Sequence, residues 1–212
     1  MSISSAKEVI LKKIRKALSE STPLPFPQSE GTQSLYHPSQ QELEIQFAEE
    51  FSKLQGKFVF CLDLTELCTQ LNALIEAKNW AHIFCQETAL KQALTKGAFT
   101  GFSDTGLANC DAAITTCESL VARTGSIVLS AASQSGRTAS VYAPVHICIA
   151  YTHQLVYDIK DALQLVKEKY GPQLPSLISF AAGPSRTADI EKTLVTGVHG
   201  PKEVYVFLVD QG

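Results

Sequence analysis

Apolar residues along this chain fall into helix-like and strand-like patterns that alternate. At residues 3–19 they recur three or four positions apart and the opposite face is basic, which predicts an amphipathic helix. The helices expected after it are 40–54, 65–78 and 88–96, and the strands between them are 57–62 and 81–85. This alternation is typical of an α/β layered domain with a largely parallel sheet.

A proline-rich stretch follows the first predicted helix. Its prolines, which block helix formation and favour an extended linker, are Pro23, Pro25, Pro27 and Pro38. We therefore expect an N-terminal helical arm with its linker at residues 1–37 and an α/β domain at residues 38–212. The basic face of the arm is either a solvated surface or a docking surface for an acidic partner. Such an arm also suits packing on a neighbouring subunit of a homo-oligomer.

After Gly97 the pattern changes. The strands expected there are 112–114 and 145–150, and a hairpin is expected around the turn 123–126. Asp158 is a predicted N-cap for a helix that ends at Tyr170, because Gly171 and Pro172 follow. The final segment reads as a strand at 177–182, a short helix that ends at Gly197, and a strand at 203–210 that closes the sheet.

Composition narrows the class of protein. With 45% hydrophobic and 18% charged residues, the chain is typical of soluble globular domains. A net charge of −3 gives no basic excess, so nucleic acid is not an expected partner. No apolar run reaches the ~18–20 residues that cross a bilayer, and the N-terminus lacks a secretory signal pattern. We expect a cytoplasmic protein with no membrane partner.

The six cysteines favour buried thiols over a metal site. They form no C-x-x-C pair, and several lie inside apolar runs such as FVFC and HICIA. Free cysteine behaves as a small buried hydrophobe, whereas zinc and iron–sulfur sites need clustered ligands. We expect reduced core thiols and no metal ligands, and the residues alone name no cofactor.

The clearest candidate for ligand binding follows the predicted strand at 177–182. Ser185, Arg186, Thr187 and Asp189 stand where the predicted helix begins. Helix capping accounts for the hydroxyl and acidic residues, but an arginine opposes the dipole at that end. One reading is that these residues bind a phosphate or carboxylate through charge-assisted hydrogen bonds. The other is that Asp189 or Glu191 holds the guanidinium internally.

A second turn is a candidate for the rim of the same pocket. Thr124, Gly125 and Ser126 are either a simple hairpin turn with glycine at positive φ or an anion-binding concavity. Arg137, in the polar segment 133–140, is a candidate for a second positively charged group that binds the anion.

The histidines carry weaker signals. His146 lies in an apolar run, where it is either a satisfied core residue or a ligand, and His199 lies in a turn as either a general base or a turn stabiliser. The chain has no G-x-S-x-G, Walker A or G-x-G-x-x-G motif, so no nucleophile stands out and an enzymatic role stays undecided.

Three segments resemble one family. The string GPSRTADIEKTLVTGVHGPKEVYVFLVD at 183–210 is similar to the C-terminal hallmark of the LUD-domain family, which includes lactate utilisation protein C. The segments ITTCESLVARTGSIVLS and YAPVHICIA resemble the central part of that family. The resemblance spans roughly residues 40–212, strongest at the C-terminus and only architectural before residue 97.

The resemblance implies a fold of the NagB/RpiA/CoA-transferase type, in which a sheet carries helices on both faces. It also implies a component without an iron–sulfur cluster in a system that oxidises L-lactate to pyruvate beside two iron–sulfur partner proteins. The motif positions that carry over, without assigned roles, are Thr124, Gly125, Ser185, Arg186, Thr187 and Asp189. Arg123 departs from the pattern, because the resemblance leads us to expect an acidic residue there.

The leading hypothesis is a lactate-utilisation component that binds a small carboxylate or a phosphate-bearing ligand. Two alternatives stay open. In the first, the chain is a non-catalytic assembly or ligand-sensing subunit. In the second, which rests on fold analogy alone, it is an enzyme that acts on a phosphorylated, CoA-linked or folate substrate.

Overall fold

A computed structural model describes residues 4–19, 41–188, 194–196 and 199–210 of the chain, which divides into two units, 1–37 and 38–212. In the first unit the described element is helix α1 (Ser4–Ser19), which confirms the predicted N-terminal helix. The side chains of residues 7–17 on this helix are all exposed.

Five further helices lie in the described part of the second unit. They are α2 (Leu43–Lys53), α3 (Leu64–Lys78), α4 (Thr88–Lys96), α5 (Ala139–Tyr142) and α6 (Ile159–Tyr170). Asp158 caps α6 in a reciprocal capping box with Asp161, as its position before the apolar pattern predicts. Across the described ranges, no helix combines the length and the apolar character that crossing a membrane requires.

The strands of the second unit form three sheets. In chain order they are β1 (Lys57–Cys61), β2 (Ile83–Phe84), β3 (Ala112–Thr116), β4 (Ser119–Val121), β5 (Ser126–Ser130), β6 (Val145–Tyr151), β7 (Leu155–Val156), β8 (Ile178–Ala181), β9 (Arg186–Ala188), β10 (Leu194–Thr196) and β11 (Glu203–Val209). The first sheet is parallel throughout and has the order β1-β11-β6-β3-β2. The second has the order β7-β4-β5-β8, and the third pairs β9 with β10.

Each face of the parallel sheet has its own core. On one face, Leu67, Leu71 and Leu94 of helices α3 and α4 pack with Ile114 and Phe207 of the sheet. The core on the other face joins α2, the parallel sheet and the second sheet, and its largest members are Phe47, Phe51, Leu120, Ile127 and Leu208. Helix α6 lies on the outer side of the second sheet, where Ala162 packs against Val121 and Val128. The layered α/β class is therefore confirmed, with a parallel sheet flanked by helices.

The six cysteines are free thiols, and four of them, Cys61, Cys68, Cys110 and Cys148, are buried. The interpretation of these residues as reduced core thiols is confirmed. Burial raises the pKa of the Cys61 thiol to about 11, so that thiol is protonated at neutral pH.

The helix expected between Ser185 and Gly197 was wrong. Residues Arg186–Ala188 form strand β9, which pairs antiparallel with β10, so Arg186 lies opposite Thr196. The β-branched residues Thr187, Val195 and Thr196 favour the extended backbone that this pairing requires. The expected closure of one sheet by the last two long strands was also wrong. Strand β8 belongs to the second sheet, whereas β11 lies inside the parallel sheet.

Candidate functional site

Arg186 lies at the C-terminal end of helix α2 and not at the start of a helix. Its Nη2 atom donates a hydrogen bond to the carbonyl oxygen of Leu54, which is the C-cap of α2. The C-terminal end of a helix carries partial negative charge, so a guanidinium there is stabilising. An internal partner therefore accounts for this arginine, and the acidic partners that the sequence suggested, Asp189 and Glu191, lie outside the described residues.

We expect Arg186→Ala to lower the free energy of unfolding by about 1 kcal/mol, because the change removes a charged donor from the end of α2. Urea denaturation at low salt measures the loss. Arg137→Ala is the matched control, since the exposed Arg137 guanidinium bonds only the hydroxyl of Ser176 among the described residues. If Arg186→Ala left stability unchanged and abolished anion binding, Arg186 would be assigned to ligand binding and not to stabilisation of α2.

The turn at 124–126 packs on the same end of α2. Leu120 and Ile127 pair across the hairpin, which confirms that prediction. Gly125 has φ +57°, and a Cβ atom there would lie 2.5 Å from the backbone nitrogen of Phe51. Only glycine fits this close approach without a shift of the helix. The turn therefore has a structural reason for its glycine, and its ligand role stays a prediction.

Arg123 has a partner that explains the departure from the family pattern. Its Nε atom lies 2.9 Å from Oδ2 of Asp158, and its Nη2 atom donates to Oδ1 at 3.2 Å. The hydrogen bond from Arg123 lowers the pKa of the Asp158 carboxyl. Asp158 is also the N-cap of α6, so Arg123 ties the hairpin turn to the start of that helix.

The remaining predicted site residues lie on separate segments of the chain. Arg137 is exposed and donates to the Ser176 hydroxyl. Thr187 lies in β9 opposite Val195, and Asp189 lies outside the described residues. The pockets described below are lined by neither the 124–126 turn nor Arg137, and the pocket expected between these residues and the segment 185–187 stays a prediction. What the turn and Arg186 share is contact with the last turn of α2.

Ser185 lines a different pocket of about 210 Å³, which we call the loop pocket. The pocket lies between the amino ends of β6 and β11 and the chain that leaves β8. Its polar lining residues are Ser140, His146, Ser179, Ser185 and His199. No acidic side chain lines it among the described residues.

Two hydrogen bonds hold the two sides of this loop together. The backbone nitrogen of Ser185 donates to the carbonyl oxygen of Pro201 at 2.9 Å, and its hydroxyl donates to the carbonyl oxygen of His199 at 3.2 Å. Gly200 permits the approach, because a Cβ atom there would lie 2.7 Å from the Cβ atom of Ser185. The loop thus places the hydroxyl of Ser185 and the side chain of His199 beside each other in the lining of the loop pocket.

His146 forms the inner wall of the loop pocket. It is 1% exposed, and its Nε2 atom lies 2.8 Å from the hydroxyl of Thr115. Burial lowers the pKa of His146 to about 4, so the imidazole is neutral near pH 7. At that pH the ring carries no positive charge and acts as a hydrogen-bonding group, as its contact with Thr115 shows.

A second pocket of about 240 Å³ lies at the carboxyl ends of β2 and β3, and we call it the carboxyl-edge cleft. Glu87 is buried there and accepts hydrogen bonds from the hydroxyls of Thr116 and Ser135. Glu118 accepts from Lys169 Nζ at 2.7 Å. The sequence interpretation missed this cluster, although Glu87 lies two residues after the predicted strand 81–85, where α/β proteins place functional groups.

The charges of the carboxyl-edge cleft disfavour an anion. Burial raises the pKa of Glu118, but hydrogen bonds from Lys169, Ser130 and Tyr170 outweigh that effect and the pKa is lowered overall. The charged side chains that line the cleft are Glu87, Glu118 and Lys169, two carboxylates against one ammonium. Within the described residues, no group of three or more potential ligands is placed to hold a metal ion.

Comparison with known proteins places these features in a family. The LUD domain model matches residues 102–209, about half of the chain. Lactate utilization protein C of Bacillus licheniformis is 36% identical over 101 residues, which cover 46% of this chain and 42% of that protein. The protein of the same name from Shouchella clausii is also 36% identical over 101 residues, which cover 47% of this chain and 44% of that protein. The matched segment thus spans less than half the length of these relatives.

A solved structure agrees at the level of the fold. The crystal structure of a DUF162 family protein from Deinococcus radiodurans superposes with a TM-score of 0.61 over 82% of this chain and 99% of that chain, at 19% identity. The family match includes both faces of the loop pocket, from Leu129 to Val204. On this match the chain belongs to the LUD domain family.

Proposed function

We propose that this protein takes part in lactate utilisation and that its loop pocket binds L-lactate or a similar small carboxylate. The names of the relatives, lactate utilization protein C in both cases, support the first part. One observation supports the second. All three segments that resemble the family contribute to this pocket, through Leu129, His146 and the stretch from Gly183 to Val204.

The chemistry of the lining suits a hydroxy acid. The hydroxyls of Ser140 and Ser179 and the ring of His199 offer hydrogen-bond donors to a carboxylate, and the Ser185 hydroxyl joins them when it turns from the His199 carbonyl oxygen towards the ligand. The neutral ring of His146 offers a partner to the α-hydroxyl. Apolar residues, among them Val141 and Phe180, complete the wall and suit the methyl group of lactate. Oxidation to pyruvate releases two electrons and two protons, and the proposed electron acceptors are iron–sulfur partner proteins of the same system.

Isothermal titration calorimetry tests the pocket directly. We expect binding of L-lactate to the full chain and a roughly tenfold or greater loss of affinity in Ser185→Ala and in His199→Ala, because each removes a donor to a charged group. Ser133→Ala is the matched control, since Ser133 lines the carboxyl-edge cleft instead. Flat titrations with lactate, pyruvate and inorganic phosphate would refute the proposal.

A second measurement separates catalysis from ligand sensing. Lactate-dependent dye reduction is assayed in the complex purified with its iron–sulfur partners. Parallel losses of binding and dye reduction in Ser185→Ala favour a catalytic pocket. Dye reduction that persists in a variant unable to bind lactate assigns the pocket to sensing or assembly.

A further inference from the structure

An acidic groove lies on the α/β unit at its edge strand β1, away from both pockets. Its volume is about 740 Å³. Its floor is apolar and is formed by Ile45, Ala48, Phe58 and Phe60. Ile45 is 48% exposed and Phe60 is 41% exposed, so large hydrophobic groups meet water here. Contiguous exposed apolar surface of this kind is typical of an interaction site.

Four carboxylates surround this floor. They belong to Glu42, Glu44, Glu49 and Asp210, and no basic residue lines the groove in the part of the chain that the structure describes. None of the four takes part in a salt bridge among the described residues. Glu49 accepts a hydrogen bond from Gln41, and Asp210 accepts one from Thr152, both neutral donors. Lys53, one helical turn after Glu49, interacts with it electrostatically but does not line the groove, which therefore presents a negative rim around an apolar strip.

Helix α1 has the opposite character. It carries five basic residues, Lys7, Lys12, Lys13, Arg15 and Lys16, against one acidic residue, Glu8. Its apolar side chains are exposed, with Ile10 at 58% and Ile14 at 48%. Residues four positions apart lie on the same face of a helix, so these two form one stripe. A stripe flanked by lysines complements an apolar strip flanked by carboxylates.

We propose that the groove receives helix α1 of a second copy of this chain, so that two copies each lend a helix to the other. Charge complementarity carries the inference, since a helix with five positive charges and one negative, a net charge of +4, meets four carboxylates that form no salt bridge among the described residues. The proline pattern before residue 39 predicts an extended linker, which suits a helix that docks on a neighbouring copy of the chain. The interface is two-fold symmetric, because each copy supplies one helix and one groove.

Sedimentation velocity on the full chain tests the proposal. We expect a dimer whose dissociation constant rises with salt, because screening weakens the charge pairing. The variant Glu44→Lys with Glu49→Lys is expected to weaken dimerisation about tenfold or more. The control, Glu76→Lys with Glu168→Lys, changes the same charge at exposed positions of α3 and α6 and should leave the dimer intact.

Mixed variants identify the partner helix. A chain with Lys12→Glu and Lys16→Glu should fail to dimerise alone. Mixing it with the Glu44→Lys, Glu49→Lys chain should restore a heterodimer, because one helix–groove contact then has wild-type charges and the other has both charges reversed. Circular dichroism confirms that each variant is folded. A monomer at all concentrations, which includes docking of α1 within its own chain, would overturn the proposal. So would a dimer that neither charge reversal weakens.

Discussion

Gly125→Ala is expected to lower the free energy of unfolding by at least about 3 kcal/mol. The left-handed backbone at φ +57° costs an alanine about 1–2 kcal/mol. The added Cβ would also lie 2.5 Å from the nitrogen of Phe51 and 2.7 Å from the carbonyl carbon of Glu50. Both neighbours are backbone atoms of α2, so relief requires the whole helix to move. Phe51 is fully buried in the core, where overpacking adds its own cost.

Gly136→Ala is the matched control for this prediction. Gly136 has φ +60°, and nothing lies within 4 Å of a Cβ atom built there. The control therefore loses about 1–2 kcal/mol from backbone conformation alone. Chemical denaturation of both variants isolates the contact with α2. Equal losses would contradict the packing account, and a stable Gly125→Ala protein with weakened ligand binding would support the anion-binding turn instead.

His146 is expected to make stability strongly dependent on pH. Its folded pKa, about 4, lies below the ordinary value of 6.5, because burial disfavours the charged ring. Between these values the unfolded chain binds a proton that the folded chain does not. Stability is therefore fully present above pH 6.5 and falls as the pH drops towards 4, by about 3 kcal/mol in total at 1.36 kcal/mol per pKa unit.

Urea denaturation at pH 7 and at pH 4 measures this contribution. Carboxyl groups also titrate in this range, so the informative quantity is the difference between the wild type and His146→Gln. The wild type should lose about 3 kcal/mol more than the variant on acidification. The exposed His153→Gln change should leave the wild-type dependence in place. Parallel curves for the wild type and His146→Gln would show that the pKa of this ring does not differ between the folded and unfolded states.

Local signals predicted most of the elements. Asp158 before an apolar stripe and Gly171 after it bound α6 correctly, because capping and helix termination act within a few residues. The apolar runs of β1, β6 and β11 predicted strands, because this signal too lies within a few consecutive residues. The segment from Ser185 to Gly197 misled because its hydroxyls resemble N-caps and its Ile190 and Leu194 have helical spacing. Pairing between β9 and β10 decided the conformation instead.

The candidate site was harder to predict because its contacts are distant in sequence. Arg186 bonds a carbonyl group 132 residues earlier, and no local pattern signals that α2 ends there. The buried pair of Glu87 and Ser135 spans 48 residues. His199 and Ser185 were recognised as candidates, since both lie in one turn-rich stretch. That they share a pocket with His146 depends on the sheet order, which the chain pattern alone does not fix.

The position of β11 between β1 and β6 has a consequence for how the protein is made. Lys57 and Tyr205, paired across β1 and β11, are 148 residues apart, so closing this contact requires an entropically costly search. Until it closes, β1 and β6 expose bare edges that invite aggregation. We anticipate slow maturation and a dependence on chaperones when the protein is overproduced.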